Sequence, residues 1–164
     1  MKSADYWIEK LNMHPHPEGG YFCEVYRSGE NIDSGLPERY SGSRSFSSSI
    51  YFLLKGEQYS AFHRLRSDEI WHLYYGSPTA LHVIFNDGRY EKRVVGLDLD
   101  KGEKPQAVIP KNCWFAAEVI DKVHYSLVGC TVSPGFDYLD FELAEREKLI
   151  DRFPQHAGII KRFT

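Results

Sequence analysis

The stretch Gly56-Glu57-Gln58-Tyr59-Ser60-Ala61-Phe62-His63-Arg64-Leu65-Arg66-Ser67-Asp68-Glu69-Ile70-Trp71-His72-Leu73-Tyr74-Tyr75-Gly76 reads as two short strands joined by a tight polar turn. Tyr59–Leu65 and Ile70–Tyr75 are rich in aromatic and apolar residues, and Arg66-Ser67-Asp68 between them has turn chemistry. His63 and Glu69 fall near the facing ends of the two strands, which brings an imidazole and a carboxylate to one wall. Such a pair can bind a metal or act as an oriented acid and base. A solvated turn with His63 hydrogen-bonded in the core has the same sequence.

Outward from these two strands the same pattern repeats. Aromatic and β-branched runs occupy Tyr21–Tyr26, Phe46–Leu54, Ala80–Phe85, Tyr90–Val95, Ala107–Ile109, Trp114–Val119 and Tyr125–Val132. Turn signals separate them: Lys55-Gly56-Glu57, Gly76-Ser77-Pro78, Asn86-Asp87-Gly88, Asp100-Lys101-Gly102 and Pro110-Lys111-Asn112. Short strands at this spacing predict an all-β antiparallel sandwich or barrel. Residues 4–11 fit a short amphipathic helix. After Pro134-Gly135 the period changes, and Asp140 is expected to cap a helix carrying Phe141, Ala144, Leu149, Ile150 and Phe153, stopped by Pro154. One domain is expected over 1–164: a lead-in over 1–18, a β-barrel over 19–133, and a helix and tail over 134–164. The polar segment Ser28–Ser49 is expected to be a mobile loop or lid.

Composition narrows the function classes. The 164 residues include 20 Lys+Arg and 23 Asp+Glu, a formal charge of −3, with 42% hydrophobic and 15% aromatic residues. That balance is globular, and it argues against a protein held to nucleic acid by phosphate neutralisation. No apolar run approaches a membrane span, and the charged, aromatic start lacks a signal-peptide core. Cys23, Cys113 and Cys130 form no CxxC pair and sit in apolar surroundings, which suits buried free thiols in a reducing cytoplasm.

The spacing around these two strands resembles the first motif of the cupin superfamily, Gly-x5-His-x-His-x3–4-Glu-x6-Gly, at Gly56, Glu69 and Gly76. His16-Pro17-Glu18-Gly19-Gly20-Tyr21-Phe22, Ser49-Ile50-Tyr51-Phe52-Leu53-Leu54, Phe62-His63-Arg64, Ser67-Asp68-Glu69-Ile70-Trp71-His72 and Gly129-Cys130-Thr131-Val132-Ser133-Pro134-Gly135-Phe136-Asp137 resemble one small-cupin family more specifically. That family is known as a domain of unknown function and is labelled a predicted sugar epimerase. The resemblance runs from about Leu11 to Thr164. It implies a double-stranded β-helix, or jelly-roll barrel, with a short N-terminal helix and a C-terminal helix, assembled as a homodimer. The metal-histidine positions of the motif fall on Phe62 and Arg64, or on His63 and Leu65, so at least one ligand is missing. The second motif also lacks its histidine, in Pro110-Lys111-Asn112-Cys113-Trp114-Phe115. No metal and no other cofactor is therefore expected.

What remains resembles the metal-free cupin epimerases, and the expectation is a barrel pocket for a small polar, carbohydrate-like ligand. His63 is the candidate base, oriented by Asp68 or Glu69, for removing a proton beside a carbonyl. Tyr51 is the candidate acid, with Tyr74, Tyr125 and Tyr138 also open. Arg64, His72, Trp71, Trp114 and Glu24 are candidate ligand-binding residues, although strict alternation puts His72 on the opposite strand face from Glu69. Glu18 reaches the barrel mouth if the first strand lines it. His14 and His16 have a metal-like spacing, but their Pro-rich segment is read as a structural turn. A metal-dependent cupin enzyme with a rebuilt site and a non-catalytic binding or storage module remain open.

Overall fold

Strand β5 (Ser48–Lys55) shows how the chain sorts its apolar side chains. Phe52 and Leu54 enter a core between two sheets, while Leu53 between them enters a separate cluster with Met13, Tyr125 and Leu127. The computed structural model describes residues 2–164. Among them, one antiparallel sheet joins, in order, β1 (His14–Pro15), β2 (Tyr21–Arg27), β5, β12 (Tyr125–Ser133), β7 (Asp68–Gly76) and β10 (Gln106–Ile109). The other joins β13 (Phe141–Leu143), β6 (Tyr59–Leu65), β11 (Trp114–Val119), β8 (Thr79–Ile84) and β9 (Tyr90–Val95). The result is an all-β jelly roll with short terminal helices, and Phe52, Trp71, Leu81, Phe115 and Val128 fill the space between its sheets.

Helices cover the outer faces. Helix α1 (Ala4–Lys10) is capped by Ser3, whose hydroxyl accepts the Tyr6 amide at 3.1 Å, and packs Trp7 and Ile8 against the larger sheet. Helix α2 (Arg146–Arg152) and helix α3 (Ala157–Arg162) set Leu149, Phe153, Ile160 and Phe163 on Phe62, Ile84 and Trp114 of the smaller sheet. No helix among the described residues is long and apolar enough to cross a membrane.

Two expectations need correction. Asp140 caps no helix: its carboxylate is held by Nε and Nη2 of buried Arg44 at 2.7 and 2.8 Å, which turns it toward that guanidinium. The chain after it, Phe141–Leu143, pairs with β6 instead, and the helix begins only at Arg146. The segment 28–49 is tied down rather than free. It holds the two-stranded ribbon β3 (Asn31–Ile32) with β4 (Arg44–Ser45), and Tyr40 meets the Ser67 hydroxyl at 2.8 Å.

One irregularity matters for the site. Opposite β11, Ser60 pairs with Ala117 and His63 with Phe115, so β6 carries one extra residue over this interval. A regular strand would send positions three apart to opposite faces; the bulge lets both turn to the same side.

Candidate active site

The site begins at the turn between β1 and β2. The Gly19 amide donates to the His16 carbonyl, and the His16 amide to the Gly20 carbonyl, both at 3.0 Å. Gly19 lies at φ +113, where a Cβ would sit 2.2 Å from the Tyr59 carbonyl oxygen, so only glycine allows the turn to close against β6. The Ala61 amide, within the β6 bulge, donates to the Glu18 carbonyl at 2.7 Å and locks the two segments together. Glu18 thereby turns inward, beneath His63 and near Glu69. His63, Glu18 and Glu69 are 2%, 8% and 7% exposed.

Hydrogen bonding fixes where the protons sit. His63 Nδ1 lies 2.8 Å from the Ala61 carbonyl, which only accepts, so Nδ1 carries the hydrogen and Nε2 the lone pair. That Nε2 faces Glu18 Oε2 at 3.2 Å. His16 Nδ1 accepts the Glu18 amide at 3.3 Å and lies 3.4 Å from the same Oε2. Ser60 donates to Glu18 Oε1 at 2.8 Å. Glu18 Oε2 therefore faces the lone pair of His63 Nε2, an arrangement that favours the protonated acid.

Electrostatics agree. Burial, partly offset by His16 and Ser60, pushes the Glu18 carboxyl up to about 7. Burial also lowers His63, against the Glu69 charge and the Ala61 carbonyl, and lowers His16 against Glu18. Glu69 is raised to about 7, first by burial and further by Glu18; His63, the Trp71 indole and the Cys130 thiol pull it back. Its Oε2 is buried and completes no hydrogen bond. These groups line one cavity of about 340 Å³, whose walls include Phe22, Ile50, Leu65, Val132, Phe136 and Phe141 and whose rim holds Glu24, Arg27, Asp137 and Tyr138.

No three His, Cys, Asp or Glu side chains among the described residues converge to hold a metal ion. The donors are turned on one another: both ring nitrogens of His63 and both oxygens of Glu18 already face protein partners. The set does not fit an ion without rearrangement.

A sequence profile described as Cupin superfamily (DUF985) matches residues 5–144. The chain belongs to this cupin family. It is 38% identical to a hypothetical protein from Leishmania major, with a TM-score of 0.92 over 99% of both chains. Protein SO0799 from Shewanella oneidensis is likewise 38% identical, with a TM-score of 0.90 over 100% of this chain and 98% of that one. The yeast protein YML079W of Saccharomyces cerevisiae, itself called uncharacterized, is 28% identical over 85% of this chain and 74% of its own length. Oxalate decarboxylase from Bacillus subtilis shares the fold alone, at 14% identity and a TM-score of 0.58 over 94% of this chain and 37% of that one.

The cupin cavity gathers some of the residues singled out in the sequence and leaves others elsewhere. His63, Glu69 and Glu24 line it. Asp68 does not orient His63; it sits on the exposed turn, where its carboxylate accepts the Lys111 amide at 2.7 Å. Tyr51 lies on the outer side of β5, edge-on to Tyr74 at 5.8 Å, because alternation gives the inward places to Ile50 and Phe52. Arg64 also points outward, bonding Glu142 at 2.8 Å and covering the Trp114 ring at 4.7 Å. Trp114 belongs to the cluster under the C-terminal helices, and Trp71 is packed in the core against Phe52 and Phe115. His72 takes the face opposite Glu69 and Trp71, as alternation requires. His16, read in the sequence as part of a structural turn, does lie in that turn, but its ring faces the cavity. The Gly19-Gly20 pair was the signal for so tight a return.

Proposed function

We propose that this cupin is a metal-independent isomerase or epimerase that moves a proton beside the carbonyl of a small, carbohydrate-like ligand. The observation that carries this is a pair of buried carboxyls, Glu18 and Glu69, facing one cavity, and burial pushes both up to about 7. Two such groups cannot both ionise cheaply, and the environment sorts them. Glu18 faces the His63 Nε2 lone pair and keeps its proton, so it is the acid. Glu69 has His63, an indole N–H and a thiol beside it, all of which favour the carboxylate, so it is the base. His63 and His16 do not need to touch the ligand; they hold Glu18 and are positioning residues. General acid and base groups matched to neutral pH contribute about 10²–10⁴-fold each.

The test is solvent exchange. Incubation of the chain in D2O with a panel of aldoses and ketoses should place deuterium next to the carbonyl, read by NMR, and Glu69→Gln should slow this by about a hundredfold or more. Exchange no faster than buffer across the panel, or unchanged exchange in the variant, refutes the assignment. Thermal stabilisation by a sugar without exchange would instead mark a binding module.

A further inference from the structure

Charge along the cavity wall decides what can reach these groups. Four carboxyls line it, from Glu18, Glu24, Glu69 and Asp137, against the single guanidinium of Arg27. That guanidinium is already committed. Its Nε and Nη2 donate to the Glu24 carboxylate at 2.7–3.1 Å and its Nη1 to the Phe136 carbonyl at 2.9 Å. His16 and His63 add no positive charge, because burial disfavours their protonation. Glu18 keeps its proton and Glu24 is neutralised by Arg27, so the negative charge facing the cavity comes from Glu69 and Asp137, and a phosphate or diphosphate entering it meets those carboxylates and no free cation. A cation meets the opposite.

Two further features point the same way. Glu69 Oε2 is enclosed beside the Trp71 indole N–H, itself without a partner, which leaves the other carboxyl oxygen to meet a donor from the ligand in the cavity. An ammonium group brings three donors and the complementary charge. Phe22, Phe136 and Phe141 supply aromatic walls, whose ring faces attract cations.

We propose that the ligand of this cavity is a small polar amine, of the amino-sugar class, whose ammonium group pairs with the Glu69 carboxylate, and that phosphorylated and nucleotide-linked sugars are excluded. This deepens the function proposed above and rests on it only for turnover; binding selectivity stands on the charge distribution alone.

Glucosamine, galactosamine and mannosamine, their neutral parent sugars, and the corresponding 6-phosphates are titrated against the full chain near neutral pH by calorimetry. The amines should bind at least about tenfold more tightly than the neutral sugars, with the phosphates weakest. Glu69→Gln, which keeps the side chain's shape, should erase the preference for amines over neutral sugars. Glu24→Gln, which releases Arg27, should improve binding of the 6-phosphates. Equal or tighter binding of neutral or phosphorylated sugars by the unmodified chain overturns the proposal, as does failure of all three amines to bind. Amine selectivity without deuterium exchange would remove the isomerase and leave the selectivity intact; exchange on neutral sugars alone would do the reverse.

Discussion

Replacing Glu69 by Gln should make the protein more stable at alkaline pH than at acid pH, relative to the unmodified chain. In the fold this carboxyl is raised from 4.5 to about 7, chiefly by burial. Each unit is worth about 1.4 kcal/mol, so full ionisation of the buried group opposes folding by up to about 3 kcal/mol. The sign follows from proton counting: between about pH 4.5 and 7 the folded chain holds a proton that the unfolded chain has released, so stability falls as pH rises through that window. Glutamine mimics the neutral acid and suffers no such loss. The lowered His16 and His63 act oppositely, weakening the fold as pH drops below about 6.5, but both proteins share that term and it largely cancels in the difference. Coupling of Glu69 to Glu18 and to His63 acts in the same direction as the main effect.

Urea denaturation followed by tryptophan fluorescence, from about pH 5 to about pH 8, should therefore show Glu69→Gln gaining roughly 2–3 kcal/mol on the unmodified chain across the range. In thermal melts the gap should open by roughly 5–10 °C. Parallel stability curves for the two proteins would mean that Glu69 titrates near its ordinary value, and the acid–base assignment would lose its foundation.

Other perturbations test the scaffold around the cavity. Asp140→Asn leaves buried Arg44 without its bidentate partner at 2.7 and 2.8 Å, and should cost about 3–5 kcal/mol in urea titrations; a loss under about 1 kcal/mol contradicts the role given to this pair. Gly19→Ala places a Cβ 2.2 Å from the Tyr59 carbonyl at φ +113, so it should destabilise the chain by more than about 1 kcal/mol. Because that turn carries His16 and Glu18, the same variant should also shift the His16 ring resonances in NMR, and unchanged resonances would show that the turn tolerates the methyl group. Leu149→Ala opens a hole among Phe153, Ile160 and Trp114 and should cost about 2–5 kcal/mol while leaving cavity binding intact.

Much of the β-structure could be read from the residues because strand signals are local. Tyr59–Leu65, Tyr90–Val95 and Trp114–Val119 occupy the expected positions as β6, β9 and β11, since alternation and flanking turn residues act within a few positions of each strand. The C-terminal segment misled for the same reason. Phe141 and Ala144 share a helical spacing with Leu149, but pairing of Phe141–Leu143 with β6 and the claim of Arg44 on Asp140 are long-range contacts that outweigh it. The polar segment 28–49 looked free because its anchors, Asp140 and Ser67, lie far along the chain.

The site divides in the same way. Its imidazole and one carboxylate, His63 and Glu69, lie either side of the short Arg66-Ser67-Asp68 turn and so were visible as a pair in the sequence, although that turn carries the chain from one sheet to the other and sets them on different walls of the barrel. Glu18 and His16, which decide where the protons rest, come from a turn more than forty residues earlier, judged by Ser60 to Glu18 contact across 42 positions. Nothing in the residue order announces the bulge that turns Ser60 and His63 to one side, or that Tyr51 and Arg64 face away. Residue type and spacing determined strands, turns and the all-β class, because those depend on near neighbours, and the motif resemblance added the fold family. Tertiary pairing alone decided which side chains share the cavity and how burial shifts their protons, because both depend on groups the chain brings together only when folded.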